Sequence, residues 1–183
     1  MHHDELWQLY YPNGEPIKGS GWESARDNPR AEEPEIVGVA VIFFYRKKDN
    51  HLEFLWQKRA DTVDRFPGYY DISAGGHINL GESLVEAAVR ETYEEIGARI
   101  TPDDLRFVTM RPFNKNRFAW VWCVDWTDRE EDFKFNDHEV SEIKWVPLEE
   151  LKSFWQTKAK PPLQKDNLTY DCLIEWLRMH GNL

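Results

Sequence analysis

A mixed α/β fold is what this sequence predicts, and three observations carry the prediction. Two β-rich runs stand before a turn-rich linker, a helix-forming stretch follows that linker, and further β-rich runs lead to helical segments at the end. With 183 residues, nine Trp, seven Tyr and ten Phe, the chain can bury one sizeable core.

Residues 1–34 are polar and carry turn signals in PNGEP, GSGW and DNPR. They read as an N-terminal arm, with a strand at 5–11 answered by a turn at 12–14. Next, EIVGVAVIFFY (35–45) is rich in β-branched and aromatic residues and reads as a buried strand. The charged RKKDN is its turn, and LEFLWQKR (52–59) its antiparallel partner. Pro67 and Gly68 mark a loop before a short strand at 69–73. SAGGHINLGES, holding Gly75, Gly76 and Gly81, reads as chain that turns tightly and exposes carbonyl oxygens. A helix over 82–96 stops at Gly97. Strands are expected at 105–111, 118–126 and 142–146, a short helix at 148–154 and a last one near 167–180, so that 35–183 form one domain.

Composition excludes several classes of function. A formal net charge of −10 opposes broad binding to nucleic acid polymers or anionic membranes. No apolar run reaches the roughly 18 residues of a membrane span, and MHHDELWQLY lacks the basic start and apolar stretch of a signal peptide. Cys123 and Cys172 are too far apart in sequence to be a metal-ligand pair. Reduced, buried thiols in a cytoplasmic protein are the expectation.

The helix RETYEEIG poses a physical question, because Glu91, Glu94 and Glu95 crowd one region where like charges repel. At about 100° per residue, Val85, Val89, Thr92 and Ile96 make a core stripe and the acids a separate sector. Arg90 stands four residues from both Glu86 and Glu94 and can pair with either. Ala87 and Ala88 would let a neighbouring loop approach. Carboxylates converging with a backbone carbonyl make an oxygen-rich site for a hard divalent cation, Mg²⁺ or Mn²⁺. A pair of glutamates alone would read as solvated surface.

The spacing goes further. Gly76, Glu82, Arg90, Glu91, Glu94, Glu95 and Gly97 stand at the offsets of G-x5-E-x7-R-E-U-x-E-E-x-G-U, so the segment resembles the Nudix box. Thr92 and Ala98 depart from its two aliphatic positions. The flanking hairpin and EIKWVPLEEL (142–151) are also similar to the family.

That resemblance implies an α/β/α sandwich with a mixed β-sheet and a metal-dependent hydrolase of a nucleoside diphosphate linked to another group. It implies that Glu91, Glu94 and Glu95 bind metal with the carbonyl of Gly75 or Gly76, that Glu82 supports the loop or an outer metal, and that Arg90 orients Glu91. Either Glu91 or a glutamate from a later loop is the general base; FKFNDHEVSEIKW offers Asp137, Glu139 and Glu142, of which Glu139 is favoured by its loop position. Cations for the substrate could come from Lys58, Arg59 and Arg65, or from Arg111, Lys115 and Arg117, with Arg59 and Lys58 foremost. Trp56, Tyr69, Trp120 or Trp122 could stack on a flat group, although such residues in alternating strands are usually core. His77 could hydrogen-bond a phosphate. Many relatives are dimers, and the arm could serve such a homodimer interface. Two alternatives stand beside hydrolysis. The stretch QKRADTVDRFPGYYDISAGGH also resembles isopentenyl-diphosphate isomerase, whose chemistry uses a cysteine near this loop; here the positions are Ser73, Ala74, Gly75 and Gly76. The other is a non-catalytic nucleotide-binding module.

Overall fold

This computed structural model describes residues 6–11, 13–23, 36–114, 117–130, 132–136 and 138–183, the side chains at 18–23 and 113–114 excepted. Strand β1 (Leu6–Tyr10) pairs antiparallel with β2 (Pro16–Glu23), which the sequence reading did not anticipate. Their turn passes through Gly14 at φ 85°, its N–H donating to the Tyr11 carbonyl at 2.9 Å. Glu5 and Pro12, parts of the expected strand and turn, lie outside the described residues.

The expected hairpin is β3 (Ile36–Lys48) with β4 (His51–Arg59), but its turn is tighter than RKKDN suggests. Pairing continues to Lys48 opposite His51, and only Asp49 and Asn50 turn, at φ 48° and 65°. Asp and Asn tolerate the two successive left-handed positions that a two-residue hairpin needs.

The remaining elements are β5 (Tyr70–Asp71), β6 (Ala74–His77), α1 (Leu84–Ile96), β7 (Arg106–Asn114), β8 (Arg117–Asp125), β9 (Val140–Pro147), α2 (Leu148–Thr157), the single turn α3 (Pro161–Gln164) and α4 (Asn167–Met179). Strand β3 is central. Along one edge it runs parallel to β8; its other edge is shared end to end by β1, β6 and β4, all antiparallel. Strand β4 carries β5 and β9, and β7 flanks β8. The sheet is therefore mixed. Its central strand is apolar on both faces because both are covered. Helix α1 lies over Ala40, Ile42, Phe44, Trp120 and Trp122. Helices α2 and α4 cover Phe43, Phe54, Trp56 and Val121 with Trp155, Leu173 and Leu177. The result is the expected α/β/α sandwich. Among the described residues no helix is long and apolar enough to cross a membrane.

Helix α1 is fixed at both ends. Ser83 and Glu86 form a reciprocal capping box, and Gly97, at φ 69°, donates its N–H to the Tyr93 carbonyl. The expected core stripe is rotated: Ala87, Ala88, Thr92, Glu95 and Ile96 are buried, whereas Val85 and Val89 are only partly so. The sheet-facing side of α1 thus overlaps its acidic side. That places a carboxylate, Glu95, inside the protein.

Candidate active site

The Gly75–Gly76 segment corrects the sequence expectation. It does not turn; it is extended strand β6, with Gly75 opposite Val41 and Gly76 opposite Ala40. The glycines serve close approach instead. A Cβ on Gly75 would lie 2.5 Å from the Ala40 carbonyl oxygen, and one on Gly76 would lie 2.2 to 2.4 Å from the Glu91 carboxylate. The hydrogen-bond alternation of antiparallel pairs turns the N–H and C=O of Gly75 away from β3. Its N–H accordingly donates to Glu95 Oε2 at 2.8 Å.

Arg90 organises the acids. Its Nε donates to Glu82 Oε1 at 2.8 Å, Nη1 to Glu91 Oε1 at 2.8 Å and Glu94 Oε2 at 3.0 Å, and Nη2 to Glu82 Oε2 and the His77 carbonyl, both at 2.9 Å. All five donors of a guanidinium are thereby used. Burial alone would lower its pKa, but hydrogen bonds and charge from Glu82 and Glu91 outweigh burial and raise it. Glu86, the other predicted partner, caps the helix instead. Glu82 also accepts from the Asn79 N–H at 3.0 Å, so it ties the loop before α1 to Arg90.

Glu95 is held separately. Besides Gly75, it accepts from Gln57 Nε2 at 2.9 Å. Gln57 is buried in β4, and its own Oε1 has no hydrogen-bond partner. The sequence reading missed Gln57; a polar residue inside the apolar run LEFLWQKR was the available signal. Such an orphaned acceptor is costly unless a cation or water meets it.

These residues fit a hard divalent cation. Every donor is oxygen, and Glu82, Glu91, Glu94 and Glu95 together outnumber the single guanidinium they surround. Among the described residues no three acid, thiol or imidazole groups stand gathered as a ready-made cage. The reason is visible: Arg90 Nη1 bridges Glu91 and Glu94.

The residues predicted around this centre fall in several places. Lys58 lies 3.6 Å from Glu142, which also accepts from the Tyr70 hydroxyl. Arg59 stands between buried Asp71, at 3.6 Å, and Glu139, at 3.8 Å; Lys160 also pairs with Asp71. Both cations are thus engaged with protein acids. The Glu139 loop is pinned by its carbonyl, which accepts from the Ala60 N–H at 2.7 Å. Arg111 is buried and pairs with Asp166 and Thr169 at the start of α4. Trp56, Trp120 and Trp122 are core, and Tyr69 is exposed. Lys115 and Asp137 lie outside the described residues. Cys123 is fully buried in β8, where burial pushes its thiol pKa up, and Cys172 sits on α4.

The arm reaches this site, which sequence reasoning did not show. Trp7 stacks on the His77 ring with centroids 3.6 Å apart and planes at 7°. The Gln8 N–H donates to the Ile78 carbonyl, and the Leu80 N–H to the Leu6 carbonyl, both at 2.7 Å. Strand β1 therefore braces the chain that leaves β6 at His77, whose carbonyl holds Arg90.

Comparison with known proteins gives a consistent pattern. The sequence model of the family described as NUDIX domain matches residues 34–166. Nudix hydrolase 3 of Arabidopsis thaliana is 34% identical over 113 residues, 56% of this chain but only 15% of that longer relative. An uncharacterised Nudix hydrolase of Pseudomonas aeruginosa is 30% identical over 132 residues, covering 68% of this chain and 75% of its own. A crystal structure from Deinococcus radiodurans shares the fold with a TM-score of 0.71 at 22% identity, covering 92% of this chain and 99% of that one.

Proposed function

The chain belongs to the Nudix family, and on that premise we propose that it hydrolyses the diphosphate linkage of a nucleoside diphosphate joined to another group, or of a similar diphosphate compound, using Mg²⁺ or Mn²⁺. The observation that carries the reading is a surplus of carboxylates around one fully committed guanidinium. Glu91, Glu94 and Glu95 are the side chains that would hold the cation, and the outward carbonyl of Gly75 is the backbone oxygen best turned to join them. Bound there, a divalent cation supplies charge neutralisation for the diphosphate and acidifies the attacking water.

The protein's own groups do the rest. Arg90 keeps Glu91 and Glu94 aligned, and Glu82 fixes Arg90 to the loop. Gly76 leaves the space that Glu91 fills. Glu91 or Glu139 accepts the proton of the water; Glu139, on a pinned loop beside Arg59, is the favoured group. Residues 35–183 form the catalytic domain in this reading, with the arm bracing its box loop.

A panel of diphosphate compounds, incubated with Mg²⁺ and analysed by product mass, tests the proposal. Release of a nucleoside monophosphate is expected. Glu95→Gln should lower turnover at least about 10- to 100-fold, the loss typical of residues one step removed from a metal. Undiminished turnover in that variant would overturn the metal assignment. Neither thiol lies at the box loop, so nothing in the geometry favours an isomerase.

A further inference from the structure

Gln57 occupies a position in β4 where an apolar side chain would pack without cost. Along this strand Phe54 and Trp56 belong to the core on the α2 and α4 side and Leu55 to the core under α1, so Gln57 returns to the α1 side. It is only 1% exposed. Across the sheet it stands opposite Ile143 of β9, which packs against the same core, and opposite buried Asp71 of β5. An amide in such a place has lost its water, and each of its polar atoms needs a partner.

One amide atom has a partner, and that fixes which atom lacks one. Nε2 donates to Glu95 Oε2 at 2.9 Å. An ionised carboxylate only accepts, so turning the amide over would set oxygen against oxygen; Oε1 is the atom left over. Among the described residues no group donates to it. The strong donors around the acids are spent: Arg90 commits all five, the Gly75 N–H goes to Glu95 Oε2, and the Ser73 hydroxyl goes to the Leu55 carbonyl at 2.6 Å. The donor that completes Gln57 is therefore a water.

Glu95 shows what the other half of the amide is for. Arg90 aligns Glu91 and Glu94 and has no donor left for the third acid. Gln57 from β4 and Gly75 from β6 both donate to the same oxygen of Glu95, and two donors from two strands fix how that carboxylate is turned about its last bond.

We propose that Gln57 is a positioning residue of the cation site: its Nε2 sets the Glu95 carboxylate, and its Oε1 accepts a hydrogen bond from a water that the bound cation carries. The proposal rests on the metal-dependent hydrolase reading and adds to it a residue from outside the box. An amide suits the place because it offers one donor to a carboxylate and one acceptor to a water. Leucine offers neither. Glutamate would set a second negative charge against Glu95.

Mn²⁺ binding to the full chain without substrate, followed by electron paramagnetic resonance, reads this apart from turnover. Gln57→Leu should weaken Mn²⁺ by at least about tenfold, the loss typical of groups that orient a metal ligand. Gln57→Met, which keeps the unbranched shape and removes both polar atoms, gives the same readout if the leucine variant fails to fold. In a Glu95→Gln background either change should cost less than about twofold more, because the residue it acts through is already gone. A merely structural role would weaken both backgrounds equally. In crystals soaked with Mn²⁺, a water on the metal should lie within hydrogen-bond reach of Gln57 Oε1. Equal Mn²⁺ affinity of wild type and both Gln57 variants, equal losses in the two backgrounds, or a filled manganese site with Oε1 bare overturns the inference and leaves the hydrolase reading standing. A wild type that takes no Mn²⁺ overturns both. A wild type that binds Mn²⁺ as expected but cleaves no diphosphate compound sinks the hydrolase reading and leaves the role of Gln57 supported.

Discussion

Replacing Gly76 by Ala separates catalysis from folding. The new Cβ would stand 2.2 to 2.4 Å from the Glu91 carboxylate, against ordinary contact that begins near 3.4 Å. The carboxylate must therefore move by about 1 Å, and a misplacement of that size at a reacting centre costs about 10²-fold in rate. Stability should change little. The atom displaced is the tip of a flexible side chain, and the loss of one partly exposed Arg90–Glu91 hydrogen bond, about 1 kcal/mol, is offset by the lower unfolded-state entropy of Ala. Gly75→Ala is the control. There the Cβ meets the backbone carbonyl of Ala40 at 2.5 Å and Ile72 Cδ1 at 2.8 Å. Those atoms cannot retreat freely, so that variant should lose about 1–3 kcal/mol of stability. Mg²⁺-dependent release of monophosphate, read beside urea unfolding, checks both. Full activity in Gly76→Ala, or destabilisation equal to that of Gly75→Ala, would refute the placement of Glu91.

Other outcomes follow from the same geometry. Arg90→Gln leaves Glu82, Glu91 and Glu94 without their shared cation, so it should lose about 2–3 kcal/mol; added Mg²⁺ should raise its melting temperature more than that of wild type. Burial lowers the His77 pKa from 6.5 to about 3, so the unfolded chain takes up the proton first and stability should fall as pH drops from 6.5 towards 3; His77→Phe, which keeps a ring against Trp7, should flatten that decline in acid-unfolding curves. Trp7→Ala should cost about 3 kcal/mol and lower kcat, because the end of β6 that carries the His77 carbonyl loses its brace; an unchanged kcat would confine Trp7 to stability.

What the sequence made legible is local. The acids of α1 stand at fixed offsets on one helix, and Gly97 and Ser83 mark its ends through side-chain and backbone rules that need no distant partner. The β3–β4 hairpin was legible for the same reason. Strand β6 was not, because Gly75 and Gly76 read as turn formers and only pairing with β3 makes them extended. The buried side of α1 was misplaced because hydrophobicity does not report that a carboxylate can be buried when Gln57 and the Gly75 N–H meet it. The partners of Lys58 and Arg59 come from Glu142, Asp71 and Glu139, far along the chain, so both looked freer than they are. The stacking of Trp7 on His77, seventy residues away, left no local trace.

The most direct test of the metal-binding claim is anomalous diffraction from crystals of the wild-type protein soaked in Mn²⁺. The account predicts a manganese peak among Glu91, Glu94 and Glu95, with the Gly75 carbonyl turned towards it. A map with no peak there, and with Arg90 still bridging Glu91 and Glu94 at saturating manganese, would contradict it.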